Sequence, residues 1–224
     1  QFAQTAREKQ ALRFWPFLEP DVELLDLYVE NEGLLLLGSK VTGNPDGSWQ
    51  YEYALQNNNS DRSISSFELP LEAGATVWDV GFHDVDYHSG SPIDGTDWDI
   101  TVNQISIQWE CTQTYQENQW ANAIRWGTTY NFRFTADVGP QAAKSVFGVF
   151  KPPAGDSVSM GVDAFIRAPV GTSAPTGRCC IGEECTVLNE KDCLAQSAAA
   201  LGHLLEPHPL QCPHYLSAAI RSQR

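Results

Sequence analysis

The stretch "WGTTYNFRFTADV", residues 126–138, decides the fold class that this sequence predicts. Apolar and polar residues alternate along it with a period of two, which is the period of a β-strand. One side of the predicted strand would be buried and the other hydrated. The residues predicted to share the buried side are Trp126, Tyr130, Phe132, Phe134, Ala136 and Val138.

Five other segments repeat the same period, and they are 49–56, 67–71, 78–82, 105–111 and 158–166. Turn sequences such as "NPDG", "NNNSD", "EAGA" and "KPPAGD" separate these segments, with almost no helical pattern between them. Alternation means that each sheet buries one face and wets the other. We therefore expect a mainly β protein, an antiparallel immunoglobulin-like β-sandwich, with Trp78 and Trp109 in its core beside Trp126.

The start of the long strand carries a second pattern, "WGTTY", residues 126–130. It resembles the Gly-Thr-x-Tyr entry of the tyrosine corner in immunoglobulin-like sandwiches. The resemblance implies that the hydroxyl of Tyr130 bonds to backbone a few residues upstream.

Four parts follow from changes in composition along the chain. Residues 1–40 form an N-terminal segment in which 22–29 fits either a helix or a strand, so both remain open. Its apolar part, 24–37, is a candidate for pairing with a neighbouring subunit. Residues 41–168 form the predicted sandwich, 169–177 a linker rich in Pro, Gly, Ser and Thr, and 178–224 a cysteine-rich tail.

Cysteine placement points to an oxidising compartment. Five of the six cysteines fall within the tail, a density typical of a disulfide framework in a secreted or cell-surface protein. Connectivity cannot be deduced, and Cys111 is open to three readings: a bond to the tail, a buried thiol, or an intermolecular bond. The predicted disulfide residues are Cys111, Cys179, Cys180, Cys185, Cys193 and Cys212.

The charge balance narrows the class of partner. The formal net charge is -14 and the sequence pI is about 4.6. Such a surface repels phosphate backbones, so we expect no nucleic-acid binding. The longest apolar run, "GLLLLG", is too short to span a bilayer, so we expect no membrane span.

Acidic residues cluster in "VGFHDVDYHSGSPIDGTDWDI", residues 80–100. Carboxylates and loop carbonyls are the ligands that calcium prefers, although the EF-hand register is absent. A solvated, turn-forming loop explains the same residues, and both interpretations stay open. His83 and His88 offer a nitrogen-and-oxygen alternative for zinc or copper. The candidate calcium ligands are Asp84, Asp86, Asp94, Asp97 and Asp99.

Two tryptophans lie in polar stretches, Trp98 in "TDWD" and Trp120 in "ENQWAN". Loop tryptophans can form a platform for sugar rings, or they can fold back onto the sandwich. No nucleophile motif, zinc-protease motif or phosphate-binding loop occurs. A carboxylate pair such as Asp84 and Asp86 leaves a hydrolase as a third hypothesis.

Two longer motifs are similar to known sequences. "YEYALQNNNSDRSISSFELPL", "GFHDVDYHSG" and "ANAIRWGTTYNFRF" together resemble a domain of uncharacterised secreted bacterial proteins. "GRCCIGEEC" is similar to small cysteine modules of the Cys-Cys-x4-Cys type that follow such domains. The resemblance implies an exported β-domain and no established activity.

These patterns favour a non-enzymatic extracellular structural or adhesive module. We expect it to pack with copies of itself or with another extracellular protein, because sandwich edges accept added strands. The alternative is a carbohydrate-binding module that binds a glycan and has a structural calcium site. No cofactor other than calcium is indicated.

Overall fold

The computed structural model describes residues 8–86, 90–152 and 160–171, and the backbone of 177–181 and 184–188. A 3-10 turn at Ala11–Phe14 and a one-turn helix, α1 (Trp15–Leu18), precede the strands. The strands are β1 (Glu23–Val29), β2 (Gly33–Gly43), β3 (Trp49–Asn57), β4 (Ile64–Pro70), β5 (Val77–His83), β6 (Asp99–Val102), β7 (Ser106–Glu110), β8 (Thr129–Ala136), β9 (Gln141–Val149), β10 (Gly161–Ala168), β11 (Gly177–Ile181) and β12 (Glu184–Leu188).

Two five-stranded antiparallel sheets form the sandwich, as the sequence predicted. The first sheet has the order β1-β2-β3-β8-β5 and the second the order β10-β9-β4-β7-β6. β8 shows the predicted alternation, with Tyr130, Phe132, Phe134 and Ala136 buried. The mainly β sandwich architecture is therefore confirmed.

Aromatic rings fill the space between the sheets, with Phe67 at the centre. Its ring is stacked on Phe147 at 4.7 Å and on Trp109 at 5.5 Å, measured between ring centroids. Phe132 of the first sheet meets it edge-on at 5.2 Å. Stacked and edge-on arrangements are favourable for aromatic pairs, so these ring contacts stabilise the packing of the two sheets.

The sheet extends further towards the N-terminus than the predicted boundary at residue 41. Residues 23–43 contain β1 and β2. β1 pairs with β2, and β2 pairs with β3. The helical interpretation of 22–29 is replaced by a strand, because Leu27 and Val29 alternate into the core. The apolar stretch at 24–37, a candidate for pairing with a neighbouring subunit, thus pairs with strands of its own chain.

Residues 11–18, here called the N-terminal cap, lie on the outer face of the first sheet. Leu12 is buried there against Leu36 and Ala54, in a small second core. A side chain at Gly38 would come within 2.9 Å of the ring of Trp15, so the indole lies close against the backbone of β2. The cap therefore covers part of a face that alternation alone would leave hydrated.

Two tryptophans predicted to be in the core are exposed. Trp126 is 70% exposed because β8 begins only at Thr129 and Gly127, at φ +81°, turns the chain before it. Trp78 is 37% exposed, since the register of edge strand β5 shifts between Trp78 and Gly81. Period-two alternation was extrapolated past a turn in one case and through a bulge in the other.

The chain divides into two compact units, 1–175 and 176–224. In the second unit β11 and β12 form a hairpin in which Cys180 pairs with Cys185 in register. Cys193 and Cys212 lie outside the described residues. None of the described helices is long and apolar enough to cross a membrane.

Candidate functional site

The predicted site residues lie at the end of the sandwich where β5 and β6 are the edge strands. The acidic loop, defined here as residues 84–98, connects these two strands. Three residues of it, 87–89, lie outside the described part of the chain, and they include His88. His83 is the last residue of β5.

A buried asparagine that the sequence analysis missed holds the acidic loop. Asn122 is only 2% exposed, and its amide nitrogen donates to the Asp84 carboxylate and to the Thr96 carbonyl at 2.9 Å. Its side-chain oxygen accepts from the Tyr130 hydroxyl at 2.5 Å, and its backbone carbonyl accepts from the Trp98 indole. Asn122 thus joins the loop to β8.

Tyr130 also approaches backbone upstream, as a tyrosine corner would. Its hydroxyl lies 3.2 Å from the carbonyl oxygen of Ala123 and is buried with the rest of the side chain. Burial, followed by the nearby Asp84 carboxylate, raises the pKa of Tyr130 above its ordinary value. The hydroxyl therefore keeps its proton and can donate to Asn122.

The five aspartates predicted as calcium ligands have different surroundings. Asp94 accepts from the Thr96 backbone at 2.9 Å and from its hydroxyl at 2.7 Å, which closes a turn. These two bonds lower the pKa of Asp94. Asp84 is bonded to Asn122, while Asp86, Asp97 and Asp99 are exposed.

Asp99 lies opposite Glu110 in the β6–β7 register. Within the described ranges, no group of three or more His, Cys, Asp or Glu residues is arranged to hold a metal ion. Calcium binding stays a prediction, and turn formation explains Asp94 directly.

The predicted sugar platform of Trp98 and Trp120 is wrong as a pair. Trp98 is 4% exposed and its ring is stacked on Phe82, 5.4 Å between centroids, with Tyr130 edge-on at 5.7 Å. Its indole nitrogen is satisfied by the Asn122 carbonyl, which lets the ring fold into the core. Trp120 alone is exposed, at 52%.

Cys111 is a free thiol in the described part of the chain, and it is buried at 9% exposure. This matches the second of the three readings, a buried thiol. The side chains of the tail cysteines lie outside the described residues, so a bond between Cys111 and the tail stays a prediction. Burial raises the pKa of the thiol, so it is protonated and unreactive at neutral pH. Cys111 follows β7 and lies two residues after the buried Trp109. The alternation of β7 therefore directs the Cys111 side chain into the core.

Edge strand β6 has an exposed apolar side that points towards the core. Ile100 and Val102 lie opposite Trp109 and Ile107 of β7, which are both fully buried. Residues opposite each other in register share a face of the sheet, so these two side chains are on the inner face. They are nonetheless 41% and 47% exposed.

The other three edges of the sandwich are protected. Arg167 of β10 forms an ion pair with Glu23 of β1 at 3.1 Å, which bridges the two edges at that end. Arg13 of the cap forms a second pair with Asp26 of β1 at 2.7 Å. β5 is interrupted by its register shift and by Asp79 at φ +52°. Charged side chains and bulges are among the devices that block pairing at an edge. The inner face of β6 has apolar Ile100 and Val102 instead, in a continuous register with β7.

Comparison with known proteins adds no family. No protein-family model matches the chain, and no curated protein is significantly similar to it. The resemblance to secreted bacterial β-domains therefore stays a prediction.

Sequence reasoning missed both Asn122 and the open edge. The signal for Asn122 was its position between two alanines, Ala121 and Ala123, which are small enough to be buried beside it. The sequence offers an apolar pair for the edge, Ile100 and Val102, which the sequence analysis did not single out. Their exposure is visible only once β6 is placed at the edge of the second sheet, among the residues that the structure describes.

Proposed function

We propose that this chain is a non-enzymatic extracellular structural module that packs with copies of itself through β6. The observation that carries the proposal is the inner face of β6, where Ile100 and Val102 are exposed although their partners in β7 are buried. An exposed apolar edge strand accepts a further strand by backbone hydrogen bonds. Antiparallel pairing of two β6 strands would join two five-stranded sheets into one.

The charge of the chain sets the conditions for this association. Each copy has a formal net charge of -14, and Asp99 and Glu110 lie side by side at the edge. Like charges on two copies repel each other. Salt screens this repulsion over the Debye length, which falls from about 10 Å at 0.1 M salt to about 3 Å at 1 M. Self-association through β6 should therefore increase with salt as well as with protein concentration.

Three finer features belong to the same proposal. The sandwich is immunoglobulin-like, which the contact of the Tyr130 hydroxyl with the Ala123 carbonyl supports. The tail is stapled by disulfides, which suits the in-register placement of Cys180 and Cys185. The compartment is extracellular or at the cell surface, where disulfides persist.

Sedimentation equilibrium over a range of protein and salt concentrations tests the association. An inward-pointing charge blocks an edge, so Ile100→Lys should make the protein monomeric throughout. Thr101→Lys is the matched control, because it adds the same charge to the neighbouring residue of the same strand, on the opposite face. It should keep the association of the parent.

Two outcomes would contradict the proposal. The first is a parent protein that stays monomeric at the highest concentration and salt. The second is equal loss of association in Ile100→Lys and Thr101→Lys, which would point to charge alone. Far-UV circular dichroism of both variants shows that their folds match the parent.

A further inference from the structure

A cleft on the outer face of the first sheet is separate from the acidic loop and from β6. Its volume is about 310 Å³, at the small end of ligand pockets. Trp15 of the cap forms one side, and strands β3, β8 and β5 form the floor. Among the residues that line it are Trp15, Glu52, Gly81, His83, Asn131 and Arg133.

The strand register arranges the floor as two rows of side chains. Glu52, Arg133 and Gly81 are neighbours across β3, β8 and β5. Asn131 and His83 are neighbours in the next row. Residues opposite each other share a face, so all of these polar groups stand on the same outer surface.

Gly81 leaves the room that Arg133 occupies. A side-chain carbon at Gly81 would come within 2.6 Å of the Arg133 Nε atom, closer than real contacts allow. The arginine side chain therefore lies across the backbone of β5. Among the described residues, neither the Arg133 guanidinium nor the Glu52 carboxylate has a hydrogen bond or ion pair with another side chain, although they are adjacent in register.

Trp15 is held in place at the other side of the cleft. Its ring lies against Gly38, and Gly38 pairs in register with Ala54, so the ring stands beside the polar rows. Glu19, the residue after α1, forms an ion pair with Lys40 of β2, and the hydrogen bond from Lys40 lowers the pKa of the Glu19 carboxyl. This ion pair joins the chain just after the cap to the sheet that forms the cleft.

From this arrangement we infer that the cleft binds a neutral pyranose unit of a glycan. A pyranose ring has an apolar C–H face, which suits stacking on an indole, and hydroxyl groups that both donate and accept hydrogen bonds. Arg133 supplies donors, Glu52 supplies acceptors, and Asn131 and His83 supply both. Glu52 and the charge of -14 oppose an anionic sugar, while Arg133 opposes a cationic one.

Native affinity electrophoresis tests the inference, with gels that contain glucan, xylan, mannan or galactan. The parent should be retarded by at least one of these neutral polysaccharides and not by polygalacturonate, which is anionic. Arg133→Ala should weaken retardation about tenfold in apparent affinity, because it removes charged hydrogen-bond donors. Trp15→Ala should weaken it as well by removing the stacking surface.

Thr135→Ala is the matched control, since Thr135 lies on the same strand and the same outer face but outside the cleft. It should be retarded like the parent. No retardation of the parent by any of the four polysaccharides would overturn the inference, as would equal loss in Thr135→Ala. Ile100→Lys should keep glycan retardation, so failure of the cleft and failure of β6 association are separate results.

Discussion

The two ends of the sandwich differ in how their edge strands are closed. At one end, Arg167 of β10 forms an ion pair with Glu23 of β1, and the cap adds the pair of Arg13 with Asp26. At the other end, β6 has exposed apolar side chains on its inner face, and the acidic loop beside it is held by Asn122. One fold thus contains a blocked edge and an available one, and side-chain chemistry rather than strand order makes the difference.

The largest expected effect compares two residues that face each other in register, Trp109 and Ile100. Trp109→Ala should lower the free energy of unfolding by about 3–5 kcal/mol, because the ring is fully buried between the sheets. Ile100→Ala should cost less than about 1 kcal/mol, since its side chain is already 41% exposed. Urea unfolding of both variants measures the difference. A cost of several kcal/mol for Ile100→Ala would mean that β6 is covered after all.

The next effect concerns Asn122, which supports the acidic loop at the end of the sandwich that carries β6. Asn122→Ala should lower the free energy of unfolding by about 1–3 kcal/mol, because Asp84 and Tyr130 lose their buried partner. Hydrogen exchange should become faster in the acidic loop and in β6. Asn131→Ala, an exposed site on β8, is the control and should change stability by less than about 0.5 kcal/mol. A similar loss of unfolding free energy in the two variants would mean that Asn122 does not support the acidic loop.

A smaller effect tests the closed end directly. Arg167→Ala removes the ion pair with Glu23 and a 2.8 Å bond to the Asp21 carbonyl, and partly exposed pairs of this kind contribute about 1 kcal/mol or less. We expect faster amide exchange in β1 with no change in β6. Lys144→Ala is the control, since it removes an exposed pair with Asp163 that does not bridge the sheets. Unchanged exchange in β1 would show that the ion pair does not close that edge.

The smallest effect is a pH dependence at the open end. Hydrogen bonds from the Thr96 hydroxyl and backbone lower the pKa of Asp94 in the folded protein. A lowered folded pKa stabilises the fold above the unfolded value of about 3.9, and this contribution disappears as the pH falls through the folded value. Thermal midpoints of Asp94→Asn between neutral pH and pH about 2 should therefore fall less steeply than those of the parent. Asp97→Asn is the comparison in the same loop, and identical slopes in all three proteins would contradict the assignment.

The sequence predicted what depends on local periodicity and missed what depends on the relative position of the sheets. The alternation of Tyr130, Phe132 and Phe134 is a property of neighbouring residues, so β8 was predicted correctly. Burial of Trp98 depends instead on a carbonyl acceptor at Asn122, twenty-four residues away, and on the space beneath the acidic loop. A sequence pattern contains neither of these.

The same limit applies to the surfaces. The outer-face cleft depends on the register of β3, β8 and β5 and on the cap reaching across to Gly38. The sequence around Trp15 gives no sign of this contact, because the tertiary fold brings the cap to Gly38. Distance along the chain, rather than weak local signal, explains why Trp15 and Arg133 were not brought together.

Hydrogen exchange of β1 and β6 as a function of protein concentration, in high salt, tests the central claim most directly. Added strands protect backbone amides, so association through β6 should slow exchange in 99–102 as the concentration rises. Exchange in β1 should stay constant because that edge is closed. Concentration-independent exchange in β6, or protection that appears in β1 instead, would contradict the account.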